Sequence, residues 1–449
     1  MSSAPIKTDD PANLRVLIAS HSHPQIQNGG SEVASYSLFQ QLRERHDIKA
    51  WYCGCSRTTS FARAGQSITQ PFQRDEFLYT VGDFEWFKFA NRDMAFARDF
   101  RALLKNLRPD IVHFHHYINF GMEAFAYVKE ILPNARIILT LHEFLAICHQ
   151  QGQMVTRQQG KLCRRSGYVE CSHCFPEMQP SDFFVREAYI RHFLNQVDHF
   201  IAPSHFLAQR YVDWGIAEDR MSVIENIPTS PRSSRVSALT SSSTELRVGF
   251  FGQISLLKGI QVLIDAASIL EQEHVSNINF SIFGDHTNQP PAFQAEFLAG
   301  IEKFGSNVAF HGAYINADVD ELMAEVDVVL VPSIWWENSP VVIQEAFRNG
   351  RPVVCSNIGG MAEKVAPGVD GMHFQVGSAR SLVNVLKNLA AKPEFVEELG
   401  RSVGRRHRDH DPLAEHLSLY RNILEAAPNN GTIVQRSLAD PSAASFAVP

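Results

Sequence analysis

Short apolar runs, separated by segments of helical periodicity, organise the first half of the chain. Leu14 to Ser20 is a mostly apolar run of the kind that forms a strand buried on both faces. Ala34, Leu38 and Leu42 then recur at four-residue spacing, which predicts one apolar helix face. Four further runs are predicted strands: 110–116, 135–142, 198–204 and 221–227. Strands that alternate with helices in this way are typical of a parallel α/β sheet.

A serine-rich segment interrupts this pattern, which then starts again. Seven of the seventeen residues from 229 to 245 are serine, and this composition predicts an interdomain linker. Leu246-Arg247-Val248 then repeats the beginning of the first strand, Leu14-Arg15-Val16. Six apolar runs follow as predicted strands: 246–252, 278–284, 307–313, 326–332, 351–357 and 372–376.

The two halves together predict the α/β class, with two doubly wound, Rossmann-like domains and a C-terminal helix that crosses back. The first domain is predicted over residues 1–228 and the second over 246–410, followed by the helix at 411–427. Residues 428–449 are rich in Ala, Ser, Asn and Pro and are predicted to be disordered. Such domains bind ligands at the carboxyl ends of their strands, so the cleft between the domains is the expected active site.

The turn after the strand at 326–332 carries the clearest functional pattern. Ser339 is predicted to cap a helix whose first residue is Pro340, and Gly350 is placed to end that helix. Glu337 lies in the turn and Glu345 in the helix, with seven residues between them. A strand end that opens into a helix N-terminus favours an anion or nucleotide site. A plain turn with two solvated glutamates is the alternative.

Two weaker signals lie in the first domain. Gly29 and Gly30 precede a predicted helix and would let its backbone N–H groups approach a ligand, although a simple loop fits equally well. The pair lacks the third glycine of a dinucleotide-binding fingerprint, so a nicotinamide site is not indicated. His142, followed by Glu143, stands at the end of a predicted strand, where catalytic side chains collect.

Composition narrows the functional classes. The chain has 41 basic and 48 acidic residues and a formal net charge of -7, which argues against binding to nucleic acid through bulk charge. No secretory signal and no transmembrane run is visible in the sequence, so a cytoplasmic protein is expected, with the inner face of the membrane as a second location. The seven cysteines also fit a reducing compartment.

A cysteine-rich insertion at 148–177 is the most individual feature of the sequence. It carries Cys148, Cys163, Cys171 and Cys174, the last two as a Cys-x2-Cys pair. Four thiolates at this spacing would suit a tetrahedral structural zinc site, which would stabilise a segment poor in core residues. Reduced, unligated cysteines are the alternative, because the second Cys-x2-Cys pair of such sites is missing.

Several motifs, in this order, resemble the retaining glycosyltransferases of family 4, which have the GT-B fold. They are GGSE near the N-terminus, HE after a middle strand, GQISLLKG at the start of the second domain, ENSPVVIQE, and RPVVCSNIGG. The resemblance implies transfer of a hexosyl group, for example mannosyl or glucosyl, from a UDP- or GDP-sugar to an acceptor. The anomeric configuration would be retained, and the enzyme would act in bacterial-type polysaccharide or glycolipid assembly.

The resemblance also assigns roles to residues of the second domain. It implies that Lys258 binds the donor phosphate and that Glu345 accepts hydrogen bonds from the ribose hydroxyls. Glu337 corresponds to the glutamate near the donor sugar. The family commonly has arginine where this chain has Gln253, which can donate hydrogen bonds but carries no charge. We therefore expect the leaving phosphate to depend more on Lys258 and on backbone amides.

The remaining roles follow from the same resemblance. The amides around Asn338 and Ser339 would meet sugar hydroxyls, and His142 matches the histidine that contacts the donor sugar. Gly30, next to Gly29, lies where the family brings its backbone close to phosphate and acceptor. No catalytic metal or other cofactor is expected, because Lys258 and helix dipoles would neutralise the leaving diphosphate.

The acceptor is expected to be a glycan or a lipid-linked glycan. The aromatic and basic stretch from Phe72 to Phe100, which lies outside any obvious strand, would suit peripheral contact with a membrane, although ordinary packing on the sheet explains it as well. Two other functions fit the predicted fold. One is a sugar-nucleotide epimerase, and the other is a zinc-stapled protein that binds a sugar nucleotide without turnover.

Overall fold

The computed structural model describes residues 14–27, 29–227, 245–304, 307–406 and 411–426. Residues 229–244 of the predicted linker and the predicted tail at 428–449 lie outside these ranges. Within the described ranges, no helix combines the length and hydropathy required to span a bilayer.

The first domain forms one large sheet with helices on both faces. Its strands are β1 (Leu14–Ala19), β2 (Ile48–Ser56), β3 (Ile68–Thr69), β4 (Glu76–Thr80), β5 (Phe84–Glu85), β6 (Ala90–Asn91), β7 (Ile111–Phe114), β8 (Arg136–Thr140), β9 (His199–Ala202) and β10 (Met221–Val223). Its helices are α1 (Gly30–Arg43), α2 (Met94–Leu107), α3 (Glu123–Ile131), α4 (Tyr168–Cys174), α5 (Pro180–Leu194) and α6 (His205–Trp214).

The strand order of this sheet is β10-β9-β8-β7-β1-β2-β4-β3, and all pairs are parallel except β3 with β4. The order reverses between β1 and β7, so the loops after these two strands open a crevice at their carboxyl ends. Successive residues of β1 face opposite sides: Leu17 packs with α2 and α3, whereas Ile18 packs with α1.

The second domain repeats this plan in a parallel sheet of six strands. Its strands are β11 (Leu246–Phe251), β12 (Ile278–Phe283), β13 (Val308–Gly312), β14 (Val328–Val331), β15 (Val353–Ser356) and β16 (Gly371–Phe374). Its helices are α7 (Ile260–Gln272), α8 (Pro291–Ile301), α9 (Val319–Ala324), α10 (Val341–Arg348), α11 (Gly359–Lys364), α12 (Ala379–Ala390) and α13 (Pro393–Arg406). The strand order is β13-β12-β11-β14-β15-β16, which places the reversal between β11 and β14. The prediction of two Rossmann-like domains is confirmed.

The sequence repeat corresponds to a repeated ion pair. Arg15 in β1 binds Asp110 just before β7, with its Nη2 2.7 Å from the carboxylate. Arg247 in β11 binds Asp327 just before β14 at the same distance. Each arginine therefore joins the two strands that flank a reversal, at the end opposite the crevice.

The last helix, α14 (Pro412–Glu425), packs against the first domain. Leu417 and Tyr420 share a core with Ile18 of β1. The Tyr420 hydroxyl lies 2.6 Å from Nδ1 of His113, which is fully buried in β7. The chain therefore returns from the second domain to the first.

The segment from Phe72 to Phe100 is more regular than its sequence indicates. It contains β4, a short β5-β6 hairpin and the beginning of α2, so the prediction that it lies outside strands is wrong. Phe89, Phe96 and Phe100 are buried in the core. Trp86 is 46% exposed, beneath the guanidinium of Arg57. Most of these aromatic rings thus serve ordinary packing.

Candidate active site

The crevice of the second domain brings Lys258 and Glu337 together. Lys258 follows β11 and Glu337 follows β14, so the reversal of strand order places them at the same point. Lys258 Nζ lies 2.5 Å from Glu337 Oε1. The same oxygen accepts hydrogen bonds from Ser333 Oγ at 2.8 Å and Trp335 Nε1 at 3.0 Å. Three donors thus converge on one carboxylate oxygen that is largely shielded from solvent.

Asn338, the next residue, bridges the two domains. Its Nδ2 donates to the carbonyl oxygen of His142 at 2.9 Å. Its Oδ1 is buried and has no hydrogen-bond partner in the described part of the chain. An acceptor atom in this state would gain by binding a ligand hydroxyl.

The predicted helix start at Ser339 is wrong by one position. Pro340 is the N-cap, with φ -60° and ψ 119°, and α10 begins at Val341. Proline fixes φ at a value that suits the N-cap as well as the first helical turn, so sequence alone does not distinguish these positions. The Ser339 hydroxyl, free of capping, donates to Glu225 of the first domain at 2.6 Å. Gly350 follows the helix with φ 66°, in agreement with its predicted role.

Glu345 is partly buried on α10, and its side chain makes no hydrogen bond within the described residues. Burial raises the pKa of Glu345, opposed by the positive charge of Arg348 and reinforced by the negative charge of Asp320. Tyr314, after β13, is close enough for the Glu345 charge to add to the effect of burial on the tyrosine pKa, which is raised. A carboxylate without protein partners suits two vicinal hydroxyl donors.

The other predicted ligand contacts surround this crevice. Gln253 is exposed after β11. Gly29 is the N-cap of α1 and Gly30 its first residue. A Cβ on Gly30 would come within 3.3 Å of Val341, so the N-termini of α1 and α10 face each other across the cleft.

Gly360, in the RPVVCSNIGG motif, has a structural role that sequence reasoning did not assign. Its N–H donates to the Glu337 carbonyl at 2.7 Å. A Cβ at this position would lie 1.7 Å from the Asn338 carbonyl oxygen. The motif therefore supports the Glu337–Asn338 loop from beneath, and only glycine fits.

His142 is partly buried and continues a chain of buried histidines. Its Nε2 lies 3.1 Å from Nδ1 of His115, and the His115 ring lies tilted against that of His113, with ring centroids 4.4 Å apart. Burial, with the nearby His116 and His21, lowers the pKa of His142 to about 3. The imidazole is therefore neutral at physiological pH. His115 was not predicted, since nothing in the HFHH sequence distinguishes it from its neighbours.

Glu32 of the GGSE motif forms a second buried contact in the crevice of the first domain. It lies 3.1 Å from His21 Nε2 and accepts a hydrogen bond from Ser31. Burial opposes ionisation, but these neighbours outweigh it and lower the pKa of Glu32 to about 2. The carboxylate is charged at neutral pH.

The four clustered cysteines occur as free, partly buried thiols. Burial raises the pKa of Cys148 to about 11 and also raises the pKa values of Cys163 and Cys171. Cys174 Sγ accepts a hydrogen bond from the Arg157 backbone at 3.3 Å. Across the described ranges, no three or more His, Cys, Asp or Glu side chains are arranged to hold a metal ion. The side-chain positions thus give the zinc site no support, and zinc stays a prediction.

The insertion nevertheless contacts the candidate site directly. Trp336, next to Glu337, donates from Nε1 to the Cys163 carbonyl at 2.9 Å. Its ring packs against Phe206, with centroids 5.2 Å apart, and lies beneath the Arg210 guanidinium. The insertion is therefore part of the wall that holds the Glu337 loop.

Two family models match successive parts of the chain. The model described as Glycosyltransferase Family 4 matches residues 28–227, and Glycosyl transferases group 1 matches residues 235–406. The two matches fall on the two domains, and the gap between them, residues 228–234, lies in the segment that joins the domains. The chain belongs to glycosyltransferase family 4.

The sequence relatives of this family 4 member are distant. An uncharacterised 41.2 kDa protein in the cps region of Klebsiella pneumoniae is 24% identical over 275 residues, which are 58% of this chain and 73% of that protein. An N,N'-diacetylbacillosaminyl-diphospho-undecaprenol alpha-1,3-N-acetylgalactosaminyltransferase of Campylobacter jejuni is 23% identical over 37% of this chain and 42% of its own length.

A solved structure shares the GT-B fold with this family 4 member along almost its whole length. The Anabaena protein Alr3699/HepE, in complex with UDP, has a TM-score of 0.64 and 19% sequence identity. The match covers 91% of this chain and 99% of that one. The Anabaena protein has also been solved with UDP-glucose.

Proposed function

We propose that this family 4 member transfers a hexosyl group from a UDP- or GDP-sugar to a hydroxyl group of a glycan or lipid-linked glycan. The observation that carries the proposal is the Lys258–Glu337 pair in the crevice of the second domain. A cation and a carboxylate at the carboxyl ends of two neighbouring strands suit a substrate with a charged diphosphate and a sugar rich in hydroxyl donors. The UDP and UDP-glucose complexes of the Anabaena protein support a donor of this class.

The donor would bind along the second domain. Glu345 would accept hydrogen bonds from the ribose hydroxyls, because its carboxylate has no partner within the described residues. Lys258 would face the diphosphate, assisted by amides of the loop that includes Gln253. Asn338 Oδ1, buried without a partner, would accept from the donor sugar. Gly29 and Gly30 would bring the N-terminus of α1 close to the phosphates.

We propose that transfer retains the anomeric configuration by front-face displacement. Glu337 is the carboxylate expected beside the donor sugar, but three donors already occupy its Oε1. Such a carboxylate is a weak nucleophile, which supports direct displacement over a covalent glycosyl-enzyme. The departing diphosphate would be stabilised by Lys258, so no catalytic metal is required.

The lipid-linked acceptor and the zinc site are further proposals. The name of the Campylobacter relative includes a diphospho-undecaprenol group, which supports a lipid-linked acceptor and contact with a membrane surface. Zinc analysis of purified protein tests the Cys148–Cys174 cluster: a metal content well below one per chain would exclude a structural site.

A donor panel tests the proposed function. Purified protein is incubated with UDP- and GDP-sugars and glycan acceptors, with EDTA in a parallel series, while nucleoside diphosphate and glycoside are measured. We expect release of the diphosphate with one donor, unaffected by EDTA, and a product with the donor's anomeric configuration by NMR. Conversion of the sugar nucleotide without diphosphate release would instead indicate an epimerase, and binding without turnover a non-catalytic protein.

A further inference from the structure

The crevice of the first domain contains a histidine–carboxylate pair that has no part in the proposed donor site. His116 follows β7 and Glu143 follows β8, so neighbouring parallel strands bring them together. His116 Nε2 lies 3.2 Å from Glu143 Oε1. The His116 ring also lies next to that of His21, with centroids 4.6 Å apart.

The hydrogen bonds around His116 determine where its proton lies. The backbone N–H of Ile118 donates to Nδ1 at 3.1 Å, so the neutral ring carries its proton on Nε2, the atom beside Glu143. The backbone N–H of Leu145 donates to the other oxygen of Glu143. These neighbours hold the carboxylate in place. Because a carboxylate has about four acceptor positions, Glu143 can still accept from a ligand.

Exposure distinguishes Glu143 from its neighbours. Its side chain is 25% exposed, whereas those of His116 and Glu32 are 5% and 2% exposed. Glu143 is therefore the carboxylate of this crevice that a ligand reaches.

Glu143 also lies beside the loop after β14 that carries Glu337 and Asn338, here called the donor loop. The carbonyl of His142, the preceding residue, accepts the hydrogen bond from Asn338 at 2.9 Å. The backbone that carries Glu143 thus touches the loop that would hold the donor sugar. A hydroxyl bound to Glu143 would enter the cleft from the first domain, and front-face displacement requires it to approach the face of the sugar from which the diphosphate departs.

We propose that Glu143 binds the attacking hydroxyl of the acceptor and accepts its proton, with His116 as a positioning residue. This inference rests on the proposed glycosyl transfer. In the step, the acceptor oxygen forms a bond to the anomeric carbon and the bond from that carbon to the diphosphate breaks. The diphosphate leaves with the electron pair, and the hydroxyl proton moves to Glu143 and then to solvent.

The surroundings of Glu143 suit a proton acceptor at neutral pH. The ionisable groups that face it come from four elements and are His21, His116, Tyr117, Arg186 and Tyr211. Burial raises the pKa of Glu143 to about 7, although the Leu145 N–H and the charges of His21 and Arg186 oppose it. Burial lowers the pKa of His116 well below its usual value, so Glu143 is the member of the pair that titrates near neutrality.

The variant Glu143→Gln tests the inference, since it keeps the shape of the side chain and removes its basicity. We expect transfer to the acceptor to fall by about 10²- to 10⁴-fold, the range for loss of a general base. The wild type should lose activity as the pH falls through about 7, and the variant should lack this acid limb. Glu44→Gln, on the exposed end of α1, is the matched control and should behave as wild type.

Two further measurements separate this role from a structural one. The affinity for the nucleoside diphosphate, by calorimetry, should change less than about twofold in Glu143→Gln, because the Glu143 side chain is not among the proposed contacts of the nucleotide. Formate should restore part of the activity of Glu143→Ala by supplying a mobile carboxylate. Transfer by Glu143→Gln at the wild-type rate, or with the wild-type pH profile, would overturn the inference alone. Absence of transfer by the wild type with every donor would overturn the proposed function and this inference together.

Discussion

Gly360→Ala is a sharp test of whether the donor loop is rigidly supported. An added Cβ would lie 1.7 Å from the Asn338 carbonyl oxygen, and Cβ contacts below 3.0 Å essentially do not occur. The loop or α11 must therefore move by about 1.3 Å, the difference between these two distances. Gly360 has no left-handed φ, so the steric contact alone distinguishes alanine from glycine here.

The expected size of the effect follows from this displacement. A shift of about 1 Å at a catalytic constellation can cost about 10²-fold in rate, so we expect kcat/KM to fall by roughly that factor. We also expect the melting temperature to decrease, because the shift breaks the Gly360–Glu337 backbone hydrogen bond.

The same substitution in another helix provides the control. Gly300 lies in α8, where an added Cβ would meet Ile264 at 3.4 Å, an ordinary contact. Alanine is favoured over glycine inside helices by up to about 1 kcal/mol, so Gly300→Ala should leave activity unchanged and stability equal or higher. Both variants are measured by steady-state kinetics and thermal denaturation. A Gly360→Ala protein with wild-type stability and kcat/KM would refute the reasoning.

Three other predictions concern single contacts. Trp336→Phe removes the hydrogen bond to the Cys163 carbonyl and should lower the free energy of unfolding by about 1 kcal/mol in urea, whereas an unchanged midpoint would mean that the insertion does not support the loop. Glu32→Gln should remove a stabilisation that is present above about pH 4.5 and is lost as the pH falls towards the lowered pKa of about 2. The free energies of unfolding of wild type and variant should therefore converge in acid, and a difference that stays constant with pH would contradict this. Tyr420→Phe leaves Nδ1 of His113 without its hydroxyl partner and should speed hydrogen exchange in α14, a result excluded if that helix is held by apolar contacts alone.

The fold was predictable where the apolar runs were continuous. The runs at 14–20 and 246–252 became β1 and β11, because a strand buried on both faces leaves little room for polar residues. β2 and β4 were missed. β2 contains Gly54 and β4 begins with Glu76, so neither presents an uninterrupted apolar pattern.

The site was predictable residue by residue but not as a geometry. Sequence motifs singled out Lys258 and Glu337 separately, for phosphate and for sugar. Their ion pair joins positions 79 residues apart, which no local periodicity reports. Ser339 was misassigned for a related reason: its partner, Glu225, belongs to the other domain. Contacts between loops of different domains depend on how the two sheets face each other. That arrangement is determined by residues throughout both domains and not by any local segment of the sequence.

The loop after β14 is also a joint between the domains, since Asn338 binds the His142 carbonyl, Ser339 binds Glu225, and Gln344 on α10 binds the Asn226 carbonyl at 3.2 Å. Because the same loop would hold the ligand and joins the domains, ligand binding and closure of the cleft are energetically coupled. A change that weakens these interdomain contacts therefore weakens ligand binding, and a change that strengthens them slows release of the leaving group. The turnover rate of such an enzyme would be limited by the rate at which the two domains separate. Residues of the interdomain contacts that never touch substrate would then determine kcat.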